Sequence, residues 1–310
     1  MTTIASAGAA TGASVREGLS GKRRDVAGTL FLLLLLGSLL FSLAILFILL
    51  ADVMTKAAPV FAERGVGFLT APLSSNPAKA GVGQGIIGTA ILGVIVALTA
   101  FPFGLATAIY LEEYAREGRL TRFIQVNIRN LAGVPSVVYG LLGLSVFVAL
   151  FESLGMGTGR NVLAGGATLA VLVLPIVIIT SLEALRAVPI AIREAGYGVG
   201  ASRWEVTRQL VLPAAAPGVL TGTVLALSRA LGETAPLVLA GAVLGAFSAS
   251  LDSALTGSYT ALPVIVYDWS RRPQEAFRAD AAAAIVVLLA ITLFANAIAI
   301  YLRNRYERAW

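Results

Sequence analysis

Six apolar runs, each long enough to cross a bilayer, limit what this chain can become. They lie at about Val26–Ala51, Gln84–Tyr110, Leu131–Phe151, Val162–Leu182, Ala214–Ala240 and Ala279–Tyr301. A hydrocarbon core about 30 Å thick takes about 20 predominantly apolar residues in helical form. The expected fold class is therefore all-α: a polytopic membrane protein of six transmembrane helices. Only 13% of the 310 residues are charged, against about 25% for a soluble chain, which supports the membrane assignment. The first run exceeds the apolar core of about 7–15 residues in a cleaved signal peptide, so it reads as a retained helix. Prolines inside spans, such as Pro102 and Pro175, are tolerated where neighbours satisfy the freed backbone groups.

Between the runs, composition changes sharply. Residues 1–25 read as a disordered tail, rich in Ala, Gly, Ser and Thr and ending on Lys22-Arg23-Arg24; residues 26–310 form the membrane domain. Residues 52–83, with Pro59, Pro72 and Pro77, read as a loop with room for a short helix. Glu112–Asn130 reads as a second long loop, its Glu112, Glu113 and Glu117 interleaved with Arg116 and Arg119 on a solvated face. The segment 241–277 holds a short apolar piece, Leu262–Trp269. Tyr267 and Trp269 suit the membrane interface, and Pro273 suits the first turn of the helix leading into span six.

Six spans place both termini on one side, and basic residues choose the side. The tail (Arg16, Lys22, Arg23, Arg24), loop two (Arg116, Arg119, Arg122), loop four (Arg186, Arg193, Arg203, Arg208) and the C-terminus (Arg303, Arg305, Arg308) outweigh the opposite set of Lys56, Arg64, Lys79, Arg160, Arg271, Arg272 and Arg278. The heavier set belongs in the cytoplasm. The net charge of +6 does not point to nucleic acid, because these charges sit in short loops and build no extended basic face.

Several chemistries are excluded. The chain has no Cys and no His, so it carries no thiolate metal site, no Ser–His pair and no zinc-binding H-E-x-x-H. The sole Gly-Lys pair, Gly21-Lys22, precedes Arg23 and does not make a phosphate-cradling P-loop.

Two polar features stand out against this apolar background. Ile192–Pro213 is charged yet lies between two spans. Its helix-forming start breaks over Gly196, Gly198 and Gly200, with Gly200 suited to a left-handed terminal residue. It restarts at Ser202, where Ser202 and Glu205 have capping-box spacing. Such a helix–turn–helix at the membrane surface suits a docking partner. The second feature is Arg229 with Glu233, four residues apart near the middle of span five and so on one helical face. A lone arginine at mid-membrane costs about 2.5–3.5 kcal/mol on insertion scales, and Glu233 offsets part of that. The pair reads either as a structural ion pair between helices or as a positive site on an anion's path, since arginine forks suit oxyanions. Ser228 and Thr234 flank it with hydroxyls. Gly133-Val134-Pro135-Ser136 permits close helix approach and leaves Tyr139 as a candidate to line a pathway. Glu183 ends span four within reach of Arg186.

Glu194-Ala195-Gly196, Gly200 and Leu210-x-Leu212-Pro213 resemble the EAA loop of ABC importer permeases, with the family's spacing throughout. Gly196 stands for the usual second Ala, and Leu210 for Ile. Arg229-Ala230-Leu231-Gly232-Glu233-Thr234-Ala235-Pro236 resembles the RAxGETAP signature of phosphate-importer permeases. Ala108–Tyr114 and Leu131–Gly140 are similar to further blocks of that family, and the Leu131-Ala132-Gly133-Val134-Pro135-Ser136 form and Leu262–Tyr267 before Ser270–Glu275 resemble its PstA type.

This resemblance, which covers about residue 84 to the C-terminus, implies a type I (MetI-like) permease fold in a bacterial inner membrane, with both termini cytoplasmic. It implies that Glu194, Ala195, Gly196, Gly200, Ser202, Arg203, Leu210 and Pro213 couple to a separate ATPase. It places Arg229 and Glu233 on the phosphate pathway, with Ser228, Thr234 and Tyr139 nearby. The implied partners are a second permease (PstC-like), an ATPase dimer (PstB-like) that holds ATP and Mg, and an extracytoplasmic phosphate-binding protein (PstS-like); the chain itself binds no cofactor. Sulfate or molybdate import stays open on chemistry alone, because arginine reads shape and charge. A stand-alone ion-coupled anion transporter leaves the EAA loop unexplained. A membrane-interface enzyme finds no acidic cluster to work with beyond Glu112, Glu113 and Glu117.

Overall fold

The computed structural model describes residues 26–243 and 257–306. Residues 1–25, 244–256 and 307–310, with the tail and part of the 241–277 segment, lie outside that description. All regular structure among the described residues is helical, and six helices are long and apolar enough to cross a membrane.

The chain divides into two units, residues 1–52 and 53–310. In the first, residues 26–52 are one continuous helical segment with nearly every side chain exposed, as suits a span that meets lipid. This helix, α1, runs Val26–Arg64, further than the expected end near Ala51. At 1.5 Å per residue it is about 58 Å long, well beyond a hydrocarbon core. Pro59 lies inside it; the loop expected from residue 52 begins only at Gly65, whose φ of 49° ends the helix. A short α2 (Val66–Thr70) and a 3₁₀ turn (Pro77–Lys79) follow.

In the second unit, α3 (Gly83–Ile109) continues into a π-helical turn, Tyr110–Tyr114. Next come α4 (Arg119–Ala132), α5 (Ser136–Leu142), a π segment at Gly143–Val148 and α6 (Ala149–Ser153). Span three therefore begins at Ser136, and most of loop two is the helix α4. Pro135 separates the two helices because it cannot donate a backbone bond and pushes its neighbour toward extended backbone.

The central element is α7 (Val162–Arg186). Fifteen of its 25 residues are buried, as expected of a helix that is apolar all round. It packs most closely on α3. The buried positions of α3 are Gly85, Gly88, Thr89, Leu92, Gly93, Val96, Ala100, Gly104 and Ala108, mostly small side chains; at the contact with α7 a Cβ on Gly104 would lie 2.6 Å from Val177 Cγ1, so the two backbones approach closely there. In lipid, van der Waals contact of this kind drives helix association, because lipid tails are as apolar as leucine.

The fifth span consists of α9 (Arg203–Val206), a π turn (Thr207–Val211) and α10 (Leu212–Gly232), after the short α8 (Ile190–Gly198). It does not run unbroken to Ala240. Glu233 is extended (φ −78°, ψ 125°), and a short α11 (Ala235–Leu239) follows. The unit closes with α12 (Leu262–Arg271) and α13 (Glu275–Tyr306). Pro273 lies just ahead of α13 rather than in its first turn.

Trp269 is 1% exposed, so its ring faces protein rather than headgroups. It packs between Phe68 and Phe277, with ring centroids 6.3 and 5.8 Å away. Beside this cluster, Arg64 donates to the carbonyls of Pro77 and Ala80 at 2.7 Å each and pairs with the buried Asp280. One arginine thus ties the end of α1, the 65–83 connection and α13. Asp280→Ala leaves that guanidinium without its anion, which costs on the order of 3 kcal/mol. We expect a lower thermal-denaturation midpoint for the purified protein, and an unchanged midpoint would make the pair energetically idle.

Candidate functional site

The Ile192–Pro213 segment folds as a sharp helix–turn–helix built from two interlocking caps. α8 ends in a Schellman motif: the Ala201 N–H donates to the Gly196 carbonyl at 3.1 Å and the Gly200 N–H to the Tyr197 carbonyl at 3.0 Å. Gly200 supplies the required left-handed residue at φ 85°. One residue later the capping box is complete. The Glu205 N–H donates to Ser202 Oγ at 3.3 Å, and the Ser202 N–H to Glu205 Oε2 at 2.7 Å.

The helix does not break at Gly196 or Gly198. Gly196 is buried inside α8, where a Cβ would lie 2.7 Å from Val206 Cγ2 and 2.8 Å from Leu210 Cδ1. Its role is close approach of α8 to the next helix, not flexibility. The π turn at Thr207–Val211 precedes Pro213, which sits in the first turn of α10 with no N–H to satisfy.

Glu194, Ala195, Gly200, Ser202, Arg203 and Pro213 all lie on the open surface of this element, and Leu210 is half-buried behind them. Around them Ile190, Tyr197, Val199 and Trp204 are exposed. Apolar groups clustered on a polar turn are the mark of a contact surface.

What holds the turn in place was not legible as such in the sequence. Glu113, expected on a solvated face, has a side chain only 4% exposed and pairs with Arg193 at 2.8 Å. Arg193 also donates to the Val188 carbonyl at 2.8 Å and the Leu185 carbonyl at 2.9 Å, just beyond and within the last turn of α7. Glu112 accepts from Arg186 Nε at 2.7 Å, so Arg186 pairs there, while the Glu183 side chain is exposed. The guanidinium of Arg203 lies 5.7 Å from the Tyr114 ring centroid. The clue in the sequence was the run of adjacent acids Glu112-Glu113 at the end of a span; their partners lie 74 and 80 residues away.

The second site lies at the other end of α10. Arg229 is in the last turn of the helix, not at mid-helix, and Glu233 is the residue that caps it. The break keeps them together: Arg229 Nε lies 3.4 Å from Glu233 Oε1. A cation in a last turn is also favoured by the carbonyl ends of the helix. The Arg229 side chain is 49% exposed and that of Glu233 19%. Thr221, Leu225, Arg229 and Gly232 are exposed at helical spacing, so α10 presents one open face that ends in this pair.

The other expected pathway groups are turned elsewhere. Ser228 bonds the Val224 carbonyl at 2.8 Å and Asn296 of α13, and Thr234 donates to the Pro263 carbonyl at 3.4 Å. Tyr139 is 6% exposed, and its hydroxyl donates to the Leu131 carbonyl at 2.8 Å, which pins the α4–α5 break. Arg229 and Glu233 are thus brought together, while the hydroxyls of the other three serve helix contacts. Among the described residues no cluster of acidic side chains could hold a metal.

Six helices long and apolar enough to cross a membrane, an extended residue beside an open arginine and a rigid surface turn together describe a polytopic membrane protein. The family model for the binding-protein-dependent transport system inner membrane component matches residues 100–308, and the chain belongs to that family. It is 34% identical over 216 residues to the phosphate transport system permease protein PstA 1 of Mycobacterium tuberculosis H37Rv, covering 69% of this chain and 67% of that one. It is 31% identical over 271 residues to the phosphate transport system permease protein PstA of Yersinia pestis, covering 86% and 87%.

Among solved structures it resembles a bacterial ABC transporter involved in import of the acidic polysaccharide alginate, with TM-score 0.62 and 15% identity over 90% of this chain and 96% of that one. It also resembles the MetNI methionine ABC transporter, with TM-score 0.60 and 18% identity over 73% and 96%. At these identities the likeness is one of fold, that of type I ABC importer permeases.

The two glycines at the turn separate conformation from space. Gly200→Ala forces a Cβ into left-handed backbone at a cost of about 1–2 kcal/mol. Gly198 has open space around it and no positive φ, so Gly198→Ala is neutral or stabilising by up to about 1 kcal/mol. Thermal denaturation of the two variants should rank them in that order; equal midpoints would remove the backbone argument.

Proposed function

We propose that this chain is one permease half of an ATP-driven importer of inorganic phosphate. The observation that carries this reading is the Arg229–Glu233 pair, open at the end of α10, where the helix stops and the extended Glu233 turns back to the arginine of its last turn. A guanidinium half-exposed among membrane spans has to meet water, a ligand or a partner, because lipid offers it none. A second, similar chain would close that face and make the pair part of a passage. The fork of Arg229 suits a tetrahedral oxyanion, and Glu233 aims it while keeping the site weak enough to release its cargo. The permease relatives named for phosphate support phosphate over sulfate or molybdate.

In this reading the Ile192–Pro213 turn faces the cytoplasm and docks on a separate ATPase dimer, which holds the ATP and Mg. An extracytoplasmic phosphate-binding protein delivers the anion to the opposite side. The basic residues of the loops support both termini being cytoplasmic in a bacterial inner membrane. ATP binding closes the ATPases, and rigid-body motion of the helices exposes the central site inward.

The test is Arg229→Gln in the assembled transporter. Phosphate uptake should fall by roughly a hundredfold or more, the scale of a lost charged contact, while the complex still assembles and hydrolyses ATP. Wild-type uptake by that variant would make the pair structural. Sulfate or molybdate uptake in place of phosphate by the unmodified complex would reassign the cargo.

A further inference from the structure

Three consecutive residues in the π turn that ends α3 each receive an arginine from α7 or the surface turn that follows it. Glu112 takes Arg186 from the end of α7, Glu113 takes Arg193 from α8, and Tyr114 takes the guanidinium of Arg203 from α9. The π-helical turn Tyr110–Tyr114 makes this possible. Its bond from the Ala115 N–H to the Tyr110 carbonyl, 2.8 Å long, inserts an extra residue per turn and rotates the following side chains relative to a regular helix.

The middle contact is the best shielded. The Glu113 side chain is 4% exposed and that of Arg193 17%. Arg193 offers Nε and Nη2 to the same carboxylate oxygen at 3.1 and 2.8 Å, and it also reaches the carbonyl of Leu185 in the last turn of α7 and that of Val188 just beyond it. One arginine of the turn therefore holds the ends of both α3 and α7, the two most closely packed helices in the bundle. α7 in turn bears on α10, where Gly222 faces Thr180 and Gly218 faces Ala184. α10 carries Arg229.

We infer that the Glu112–Glu113–Tyr114 end of α3, pinned by Arg193, is the mechanical joint through which movement of the turn reaches the α3–α7 pair and, by way of α10, the Arg229 site. Arg193 and Glu113 are positioning residues: neither touches cargo nor nucleotide. This inference rests on the turn being the dock for an ATPase. The exposed surface of α8 and α9 meets the partner, and the buried arginine behind it converts that push into rigid-body motion of helices. A joint of this kind must be stiff in both packings of the bundle, and a largely buried fork with several hydrogen bonds is stiffer than a solvated pair.

The experiment uses the full complex, with its second permease, ATPases and binding protein, in proteoliposomes. Glu113→Gln and Arg193→Gln should each assemble, hydrolyse ATP within about twofold of the parent, and move roughly tenfold less phosphate per ATP. The double variant should be no worse than either single, because both remove one contact. Arg193→Lys keeps the charge without the fork and should fall between. Losses that multiply in the double variant, or uptake and hydrolysis falling together in proportion, would overturn the joint.

If Glu113→Gln does not assemble, Glu112→Gln and Tyr114→Leu carry the test; a parental phosphate-to-ATP ratio in both would overturn it. A second readout does not depend on cargo. The chain has no native cysteine, so spin labels at Phe103→Cys and Leu293→Cys report α3 against α13. ATP should change their separation in the parent and not with Glu113→Gln. A parent that shows this Glu113-dependent change but imports no phosphate would retain the joint and remove the phosphate reading. A change that persists in Glu113→Gln would remove the joint.

Discussion

A guanidinium held among membrane helices has to be answered by something other than lipid, and much of this molecule is explained by how Arg229 is answered. An uncompensated arginine at the centre of a span costs about 2.5–3.5 kcal/mol on insertion scales, a cost that falls toward the end of a helix. The chain supplies part of the compensation itself. It ends α10 at Gly232, which leaves carbonyl groups beside the cation, and it turns Glu233 back toward it at 3.4 Å. It does not supply all of it, because the Arg229 side chain remains 49% exposed. A chain that leaves such a face open is built to be completed. That agrees with its membership of a family of inner membrane components of binding-protein-dependent transport systems, and it is the physical basis for reading the chain as half of a passage.

The rest of the second unit keeps that face in register with the surface turn. α3, α7 and α10 meet through small side chains, so their backbones lie close and resist sliding independently. Short polar fasteners sit where apolar packing ends. Arg64 and Asp280 gather the 65–83 connection onto α13, while Glu113 and Arg193 gather the turn onto the ends of α3 and α7. Interiors packed this way move as blocks between discrete arrangements rather than deforming continuously. A rigid turn at one end of α10 and a charged break at the other are therefore two ends of one lever.

Local patterns in the sequence were informative wherever the physics is local. Apolar runs located all six spans, Gly200 marked the left-handed cap, and the spacing of Ser202 and Glu205 described the capping box. The reading failed where long-range packing overrides local preference. Three prolines suggested a loop from residue 52, yet Pro59 sits inside a continuing helix. Gly196 looked like a helix breaker and is a contact point for Val206 and Leu210. Trp269 suited an interface by its chemistry, but Phe68 and Phe277 enclose it.

The site was only half legible for the same reason. Four-residue spacing put Arg229 and Glu233 together, but nothing in the apolar run announced the extended residue that ends the helix at Glu233. The partners of Glu113 and Asp280 lie 80 and 216 residues away in the chain, a separation that no periodicity records. Tyr139 and Ser228 carry hydroxyls whose bonds to Leu131 and Asn296 depend on how helices cross.

The account stands on the open face of α10 being lined by water in the assembled protein. A single cysteine at Leu225, one turn before Arg229, tests this directly against one at Leu98, an exposed apolar position on α3. Modification by a membrane-impermeant thiol reagent should be fast at position 225, slowed by phosphate, and negligible at position 98. An unreactive cysteine at 225, sealed from water in every nucleotide state, would contradict the claim that Arg229 stands beside a passage.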